Sequence, residues 1–319
     1  MKIIVFSTEP YDRKYLEQAN KQFNHELDFH EARLTSKTAI LAAGYPVVSV
    51  FVNDEVNAPV LEVLARNGTK MVALRCRGFS HVDLGAAKTH GITIARVPRY
   101  CPHAVAEYTI GLFLSLDRKI HRAWDRVRED TFDLNELEGR DLYGKTVGIV
   151  GTGRIGARVA KAFKPNPDLQ QIDIPFYGLE EVLRGADILC LHCPLTPETR
   201  HLINADSLKL VKRGVVIVNT ARADLVDIAA LVPALESRQV GGLALDVYEN
   251  EVGLFLDDSL GGTVAVHGAL FQRLRSFPNV IITGHQAYFT QETLHSIAHT
   301  TLNNAAKYEA GKAVPFALI

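Results

Sequence analysis

The sequence predicts an α/β protein of two Rossmann-like, flavodoxin-like domains, each a doubly wound parallel sheet, with a cleft between them. Three observations carry this. Short apolar, β-branched runs alternate with longer helical patterns, as buried parallel strands and their crossover helices do. The runs fall into two series divided by a proline-marked seam. At 319 residues the chain is also long for a single domain of roughly 150.

In the first series Ile3–Phe6, Val47–Val52, Met71–Arg75 and Ile92–Arg96 read as strands. Between them Ala58–Asn67 and Leu84–His90 read as helices, closed by Gly68 and Gly91 at the C′ position. Pro98 and Pro102 then mark a linker, because neither suits a helix interior or a central strand. Ala104–Leu116 is apolar on nearly all sides, which predicts a buried helix and an interface with a second copy. The second series is Thr146–Val150, Asp187–His192, Val215–Asn219, Gly242–Val247 and Val280–Thr283. An amphipathic helix over Gln291–Glu309 follows the closing strand of that sheet and is expected to return to the first domain. The predicted division is therefore residues 1–100 plus 291–319 as a substrate-binding domain, with 101–290 as a dinucleotide-binding domain inserted between.

Composition narrows the function classes. Lys+Arg 35 against Asp+Glu 36 leaves a net charge of -1, without the positive surplus that phosphate-backbone binding wants. Cys76, Cys101, Cys190 and Cys193 are too few for a disulfide scaffold and suit a reducing compartment. No apolar run reaches the ~20 residues of a membrane span, so a cytoplasmic protein is expected, with no membrane or nucleic-acid partner. Cys190-x-x-Cys193 lacks a second pair at zinc spacing, and sulfurs three apart on a strand point to opposite faces. His295 and His299 lack the glutamate of H-E-x-x-H. No metal is expected.

The strand Thr146–Val150 runs directly into Gly151-Thr152-Gly153-Arg154-Ile155-Gly156 and then a helical pattern. That order is what dinucleotide binding requires. Gly151 makes the tight turn, Gly153 admits a pyrophosphate, and Gly156 lets helix pack on strand. The helix N-terminus offers free N–H groups and positive dipole. One part of the fingerprint is missing. No strand ending in a ribose-binding acid follows Phe163-Lys164; Pro165-Asn166-Pro167-Asp168 comes instead, and neither Asp168 nor Asp173 ends a strand. NAD and NADP are not distinguished by these residues. A parallel sheet cannot omit that strand without stranding a crossover helix and orphaning backbone groups. The expectation is a loss of residues between Lys164 and Pro165, seen as Cα atoms far beyond the ~3.8 Å of a trans peptide. A normal link there would mean a truncated cofactor site and weakened dinucleotide binding.

Motifs spread along nearly the whole chain carry a resemblance: Arg75-Cys76-Arg77-Gly78-Phe79 with Val82-Asp83-Leu84; Val97-Pro98-x-Tyr100-x-Pro102; the glycine loop; His192-Cys193-Pro194-Leu195-Thr196; Val218-Asn219-Thr220-Ala221-Arg222; Asp246-Val247-Tyr248-Glu249-Asn250-Glu251; and Gly284-His285-Gln286-Ala287. In these the sequence resembles the D-isomer-specific 2-hydroxyacid dehydrogenases, above all their D-lactate branch. The resemblance implies reduction of a 2-oxo acid, pyruvate first, by NADH to the D-hydroxy acid.

The residue chemistry suits that reaction on its own account. A 2-oxo acid needs a cation for its carboxylate and a proton donor for its carbonyl oxygen. Arg222 follows one strand at the carboxyl edge where α/β sheets hold ligands, and its fork grips a carboxylate bidentately. His285 follows another strand at the same edge, and histidine is the natural proton donor because the unperturbed imidazole pKa lies near neutrality. Glu251, beyond a third strand end, would favour imidazolium if set against His285, and the family pattern assigns it that pairing. The resemblance further implies Arg77, Gly78 and Tyr100 on the substrate side, with Arg77 and Gly78 offering backbone N–H groups. On the cofactor side it implies Arg154 and Ile155 at the pyrophosphate, Cys193, Pro194 and Thr199 toward the adenosine, Thr220 and Ala221 toward the nicotinamide, and Asp246 in support. Ala223 departs from the family's usual glycine, which would strain the loop if φ there were positive. The competing readings are a reductase for hydroxypyruvate or a branched-chain 2-oxo acid, a formate dehydrogenase (disfavoured by glutamate where glutamine is usual) and a nucleotide-sensing corepressor. The enzyme is expected to be a homodimer or homotetramer.

Overall fold

The computed structural model describes residues 1–98, 102–163, 176–248 and 269–319. The chain forms two compact units, Met1–Cys101 with Phe289–Ile319, and Pro102–Tyr288. Tyr100, Glu251, Asp168, Asp173 and the Lys164–Pro165 junction lie outside the described residues.

The first unit holds β1 (Lys2–Val5), α1 (Pro10–Asn20), β2 (Glu26–Phe29), β3 (Val47–Val50), α2 (Ala58–Arg66), β4 (Met71–Leu74), α3 (Leu84–Thr89) and β5 (Thr93–Ala95). Its strands are all parallel in the order β2-β1-β3-β4-β5, so the winding reverses between β1 and β3. The helices start where side chains can cap them. Asn57 accepts from the Val60 N–H, with Pro59 in the first turn, and Asp83 accepts from the Ala86 N–H. Gly68, at φ +93°, closes α2 as its sequence position predicts. The strand β2 is absent from the sequence reading for a physical reason: Glu26-Leu27-Asp28-Phe29 is a half-exposed edge strand without an apolar run.

The second unit holds α4 (Pro102–Asp117), α5 (Ile120–Arg128), β6 (Val147–Val150), α6 (Gly156–Phe163), α7 (Leu179–Gly185), β7 (Ile188–Leu191), α8 (Ser207–Leu210), β8 (Val215–Asn219), α9 (Ile228–Glu236), β9 (Val240–Leu245), α10 (Ala269–Arg275) and β10 (Val280–Ile282). These strands are parallel in the order β10-β9-β8-β7-β6. Among the described residues β6 is an edge and this sheet winds in one direction only. The last helix, α11 (Gln291–Glu309), belongs to the first unit, where Ala298, Leu302 and Ala305 pack with Ile3, Val5 and Met71.

Both cores alternate as parallel strands covered on two faces should. Along β7, Ile188 and Cys190 enter one apolar cluster while Leu189 and Leu191 enter the other, which also takes Cys193. The two thiols thus face opposite sides of the sheet, and burial pushes that of Cys190 up to about 12. No metal-ligating cluster occurs among the described residues. Nor is any helix there long and apolar enough to cross a membrane. The apolar helix α4 finds its burial within its own unit, with Ala106, Leu112, Phe113 and Leu116 against Val216, Val218 and Ala244 of the sheet. Helix α5 buries none of its residues, and Ile120, Trp124 and Val127 on it are among the large apolar side chains left exposed.

Candidate active site

Strands β8, β9 and β10 end flush: Asn219 and Ile282 both pair with Leu245. Parallel strands direct their carboxyl ends the same way, so the turns carrying Thr220–Arg222, Asp246 and Thr283–His285 emerge side by side. Arg222 is exposed and has no carboxylate partner among the described residues; one Nη donates to the Ala221 carbonyl at 2.5 Å. Its backbone is extended, at φ -146°, and Ala223 begins a short 3-10 turn with no positive φ. The strain considered for Ala223 is therefore absent. His285 sits at φ +52°, a left-handed conformation uncommon outside glycine.

Buried polar side chains hold these turns. Asn219 receives the Ala221 N–H on Oδ1 at 3.0 Å and donates from Nδ2 to the Arg222 carbonyl at 2.7 Å. Asp246 accepts on Oδ1 from the Thr283 hydroxyl at 2.7 Å and the Gln286 N–H at 2.9 Å, and on Oδ2 from the Ala287 N–H at 2.8 Å. Burial raises the Asp246 carboxyl, while those donors and nearby His285 oppose the rise. Gln286 reaches on to the Tyr108 hydroxyl at 2.7 Å, and the Thr220 and Thr109 hydroxyls share a hydrogen bond at 2.8 Å. The roles of Asn219, Tyr108, Thr109 and Thr283 were not readable from sequence, since each depends on a contact fixed only by folding.

The glycine loop separates by function. At Gly151, φ +98°, a Cβ would come within 2.5 Å of the Cys193 nitrogen; at Gly156 it would lie 2.0 Å from the Gly151 carbonyl oxygen. Both positions are demanded by the protein itself. A Cβ on Gly153 would meet nothing within 4 Å, which leaves the space a pyrophosphate needs. Arg154 is exposed beside it, Ile155 packs partly into the core, and Arg158 donates to the Arg154 carbonyl at 2.6 Å. The residues present fit a dinucleotide. Thr199 spends its hydroxyl locally, donating to the Pro194 carbonyl and accepting from the Thr196 N–H. It shapes the loop toward the expected adenosine side. Gly153→Ala is expected to keep the melting temperature of the cofactor-free protein but weaken NADH binding about tenfold. Gly156→Ala should lower both, as calorimetry and fluorescence titration would show.

In the first unit Arg77 and Gly78 follow β4. Neither backbone N–H finds an acceptor among the described residues. The Cys76 thiol donates to the Gly78 carbonyl at 3.2 Å, and Arg96 donates to that of Arg77 at 3.1 Å, so the loop is held by its carbonyls. A pair of such N–H groups suits an anion.

His192, beside Gly151, carries a pH consequence. Burial pushes its imidazole from 6.5 down to about 4, and its Nε2 is buried without a partner among the described residues. Unfolding restores an ordinary histidine, so the unfolded chain binds the extra proton between these values. The stability His192 permits is intact above about 6.5 and is lost as pH falls toward 4. Melting temperature should drop across that window, and His192→Gln should drop less by a few degrees. Parallel slopes would contradict the assignment.

Comparison with known proteins agrees with this architecture. The profile of the D-isomer specific 2-hydroxyacid dehydrogenase NAD-binding domain matches residues 110–287. The chain is 53% identical to 2-hydroxyacid dehydrogenase homolog 1 of Schizosaccharomyces pombe over 332 positions, covering 100% of this chain and 99% of the relative. It is 44% identical to the D-lactate dehydrogenase of Escherichia coli over 331 positions, covering 100% of both. Among solved structures it is similar to the pyruvate reductase of Chlamydomonas reinhardtii, with a TM-score of 0.92, 41% identity, and coverage of 99% and 98%. These alignments span more positions than the 319 residues of the chain, so the relatives carry positions that it lacks.

Proposed function

The chain belongs to the D-isomer specific 2-hydroxyacid dehydrogenase family and is an NAD-linked oxidoreductase; from that premise we propose that it reduces pyruvate to D-lactate. The observation that carries the reading is the flush ending of β8 and β10 on either side of β9, with an arginine following one and a histidine the other at the same sheet edge. The names of the Escherichia coli and Chlamydomonas reinhardtii relatives favour pyruvate among 2-oxo acids.

In this mechanism Arg222 grips the 2-oxo acid through its carboxylate or carbonyl, and the Arg77 and Gly78 N–H groups take the carboxylate. Tyr100 bounds the substrate. Bound NADH supplies a hydride to C2. His285 gives its proton to the carbonyl oxygen as charge develops there, and regains one from solvent. Glu251 is assigned to keep that imidazole protonated. Gly151, Gly153, Arg154, Ile155 and Gly156 would hold the pyrophosphate, Cys193, Pro194 and Thr199 the adenosine side, and Thr220, Ala221 and Asp246 the nicotinamide side. Residues 1–100 with 291–319 then serve as the substrate-binding domain and 101–290 as the dinucleotide-binding domain, in a cytoplasmic enzyme. A panel of 2-oxo acids tests the reading by NADH oxidation. Pyruvate should give the highest kcat/KM, and a clear preference for hydroxypyruvate or a branched-chain acid would replace it.

The working form is assigned as a homo-oligomer. Ile120, Trp124 and Val127 recur along one face of α5 at 53%, 58% and 53% exposure, an apolar stripe of the kind that marks a partner surface. Light scattering should give at least twice 35.2 kDa, and Trp124→Glu should shift the mass toward the monomer. A monomeric wild type would refute this.

A further inference from the structure

Two cations stand at the amino end of α6. Arg154 is exposed just before the helix, and half-buried Arg158 lies in its first turn, which holds no acidic residue. The helix dipole turns its positive end toward both, an arrangement that an anion would relieve. Arg158 is also held more firmly than a solvated arginine needs. Its own backbone N–H passes over the Arg154 carbonyl and donates to that of Ile155 at 2.8 Å, while the Ala157 N–H donates to Gly153 at 3.0 Å. The Arg154 carbonyl thus has no backbone donor among the described residues, and Nη1 of Arg158 fills it at 2.6 Å. Nε of the same guanidinium donates at 3.0 Å to Nε2 of His103, in the first turn of α4. That nitrogen accepts only without its proton, so His103 takes the bond as the neutral ring. Both bonds fall on one planar group, which fixes its orientation. Helix α4 is a firm anchor: Leu112, Phe113 and Leu116 are buried in the core, and Phe113 meets Phe163 of α6 edge-on, ring centroids 5.8 Å apart.

We propose that Arg158 is a positioning residue for the cofactor's pyrophosphate, clasped by His103 and fixing the Arg154 turn beside the open space at Gly153 before the cofactor binds. The proposal rests on the reading of Gly153 and Arg154 as pyrophosphate residues given above. A turn already ordered spends less of the binding free energy on ordering, so the clasp acts on affinity rather than on fold stability.

NADH fluorescence titration of the full chain tests this. Arg158→Ala should weaken NADH binding about tenfold and His103→Leu about fivefold, with the melting temperature of the cofactor-free chain within about 2 °C. His103→Gln offers an acceptor oxygen and should restore the affinity to within about twofold. The double variant should bind no more weakly than Arg158→Ala alone, because both changes open one clasp. ADP-ribose, displacing NADH, should lose affinity in step, whereas adenosine, which lacks the pyrophosphate, should lose none. Effects that multiply in the double variant, a failed rescue by glutamine, or an equal loss for adenosine would overturn the proposal. So would a lowered melting temperature with NADH affinity retained. Arg154→Ala is the control for the underlying reading. If NADH affinity survives that change, the pyrophosphate assignment fails and the clasp with it; if it falls while Arg158→Ala has no effect, only the clasp fails.

Discussion

His285→Asn is expected to lower kcat about 10³-fold while NADH binds with nearly unchanged affinity. Adding hydride to C2 leaves a full negative charge on the carbonyl oxygen unless a proton arrives with it. On the proposed reading His285, just past the end of β10, supplies that proton, and asparagine keeps the polar volume without a titrating group. Asparagine also tolerates the left-handed conformation that His285 holds at φ +52°, so the turn should survive. The loss should therefore fall on the chemical step. Single-turnover rates with pyruvate, beside NADH fluorescence titration and thermal melting, distinguish this from misfolding. A kcat within about tenfold of wild type would show that another group donates the proton.

Arg222→Lys is expected to lower kcat/KM for pyruvate by on the order of 100-fold. The positive charge is retained, so a simple field effect would spare the enzyme. A planar fork matching a carboxylate is lost, and lysine cannot replace its paired geometry. The exposed guanidinium has no carboxylate partner among the described residues, so the change breaks no ion pair seen there. The NADH Kd should move little, because the glycine loop lies elsewhere on the sheet edge, beyond β6. Equal weakening of both ligands would assign Arg222 to the cofactor.

The sequence was informative wherever burial on both sheet faces forced an uninterrupted apolar run. Nine of the strands follow such runs, with ends within a few residues, and α11 begins at Gln291 as its cap Thr290 suggests. It was silent at β2, where Glu26 and Asp28 sit on an exposed edge, and at α5, whose apolar face buries nothing within the chain. Arg222 and His285 were readable because a strand end fixes where the next turn emerges. Asn219 was not, and neither were the partners of Asp246, since those are chosen by how the turns fold back. For Asp246 those partners lie about 40 residues along the chain. Proline and glycine chemistry marked the linker and the loop, whereas Ala223 showed that a missing glycine need not mean strain.

The central claim is a D-specific reduction, and chiral analysis of the product formed from pyruvate and NADH tests it most directly. D-lactate alone is predicted, formed mole for mole with NADH consumed. L-lactate, a racemate, or no NADH oxidation with any 2-oxo acid would contradict that claim.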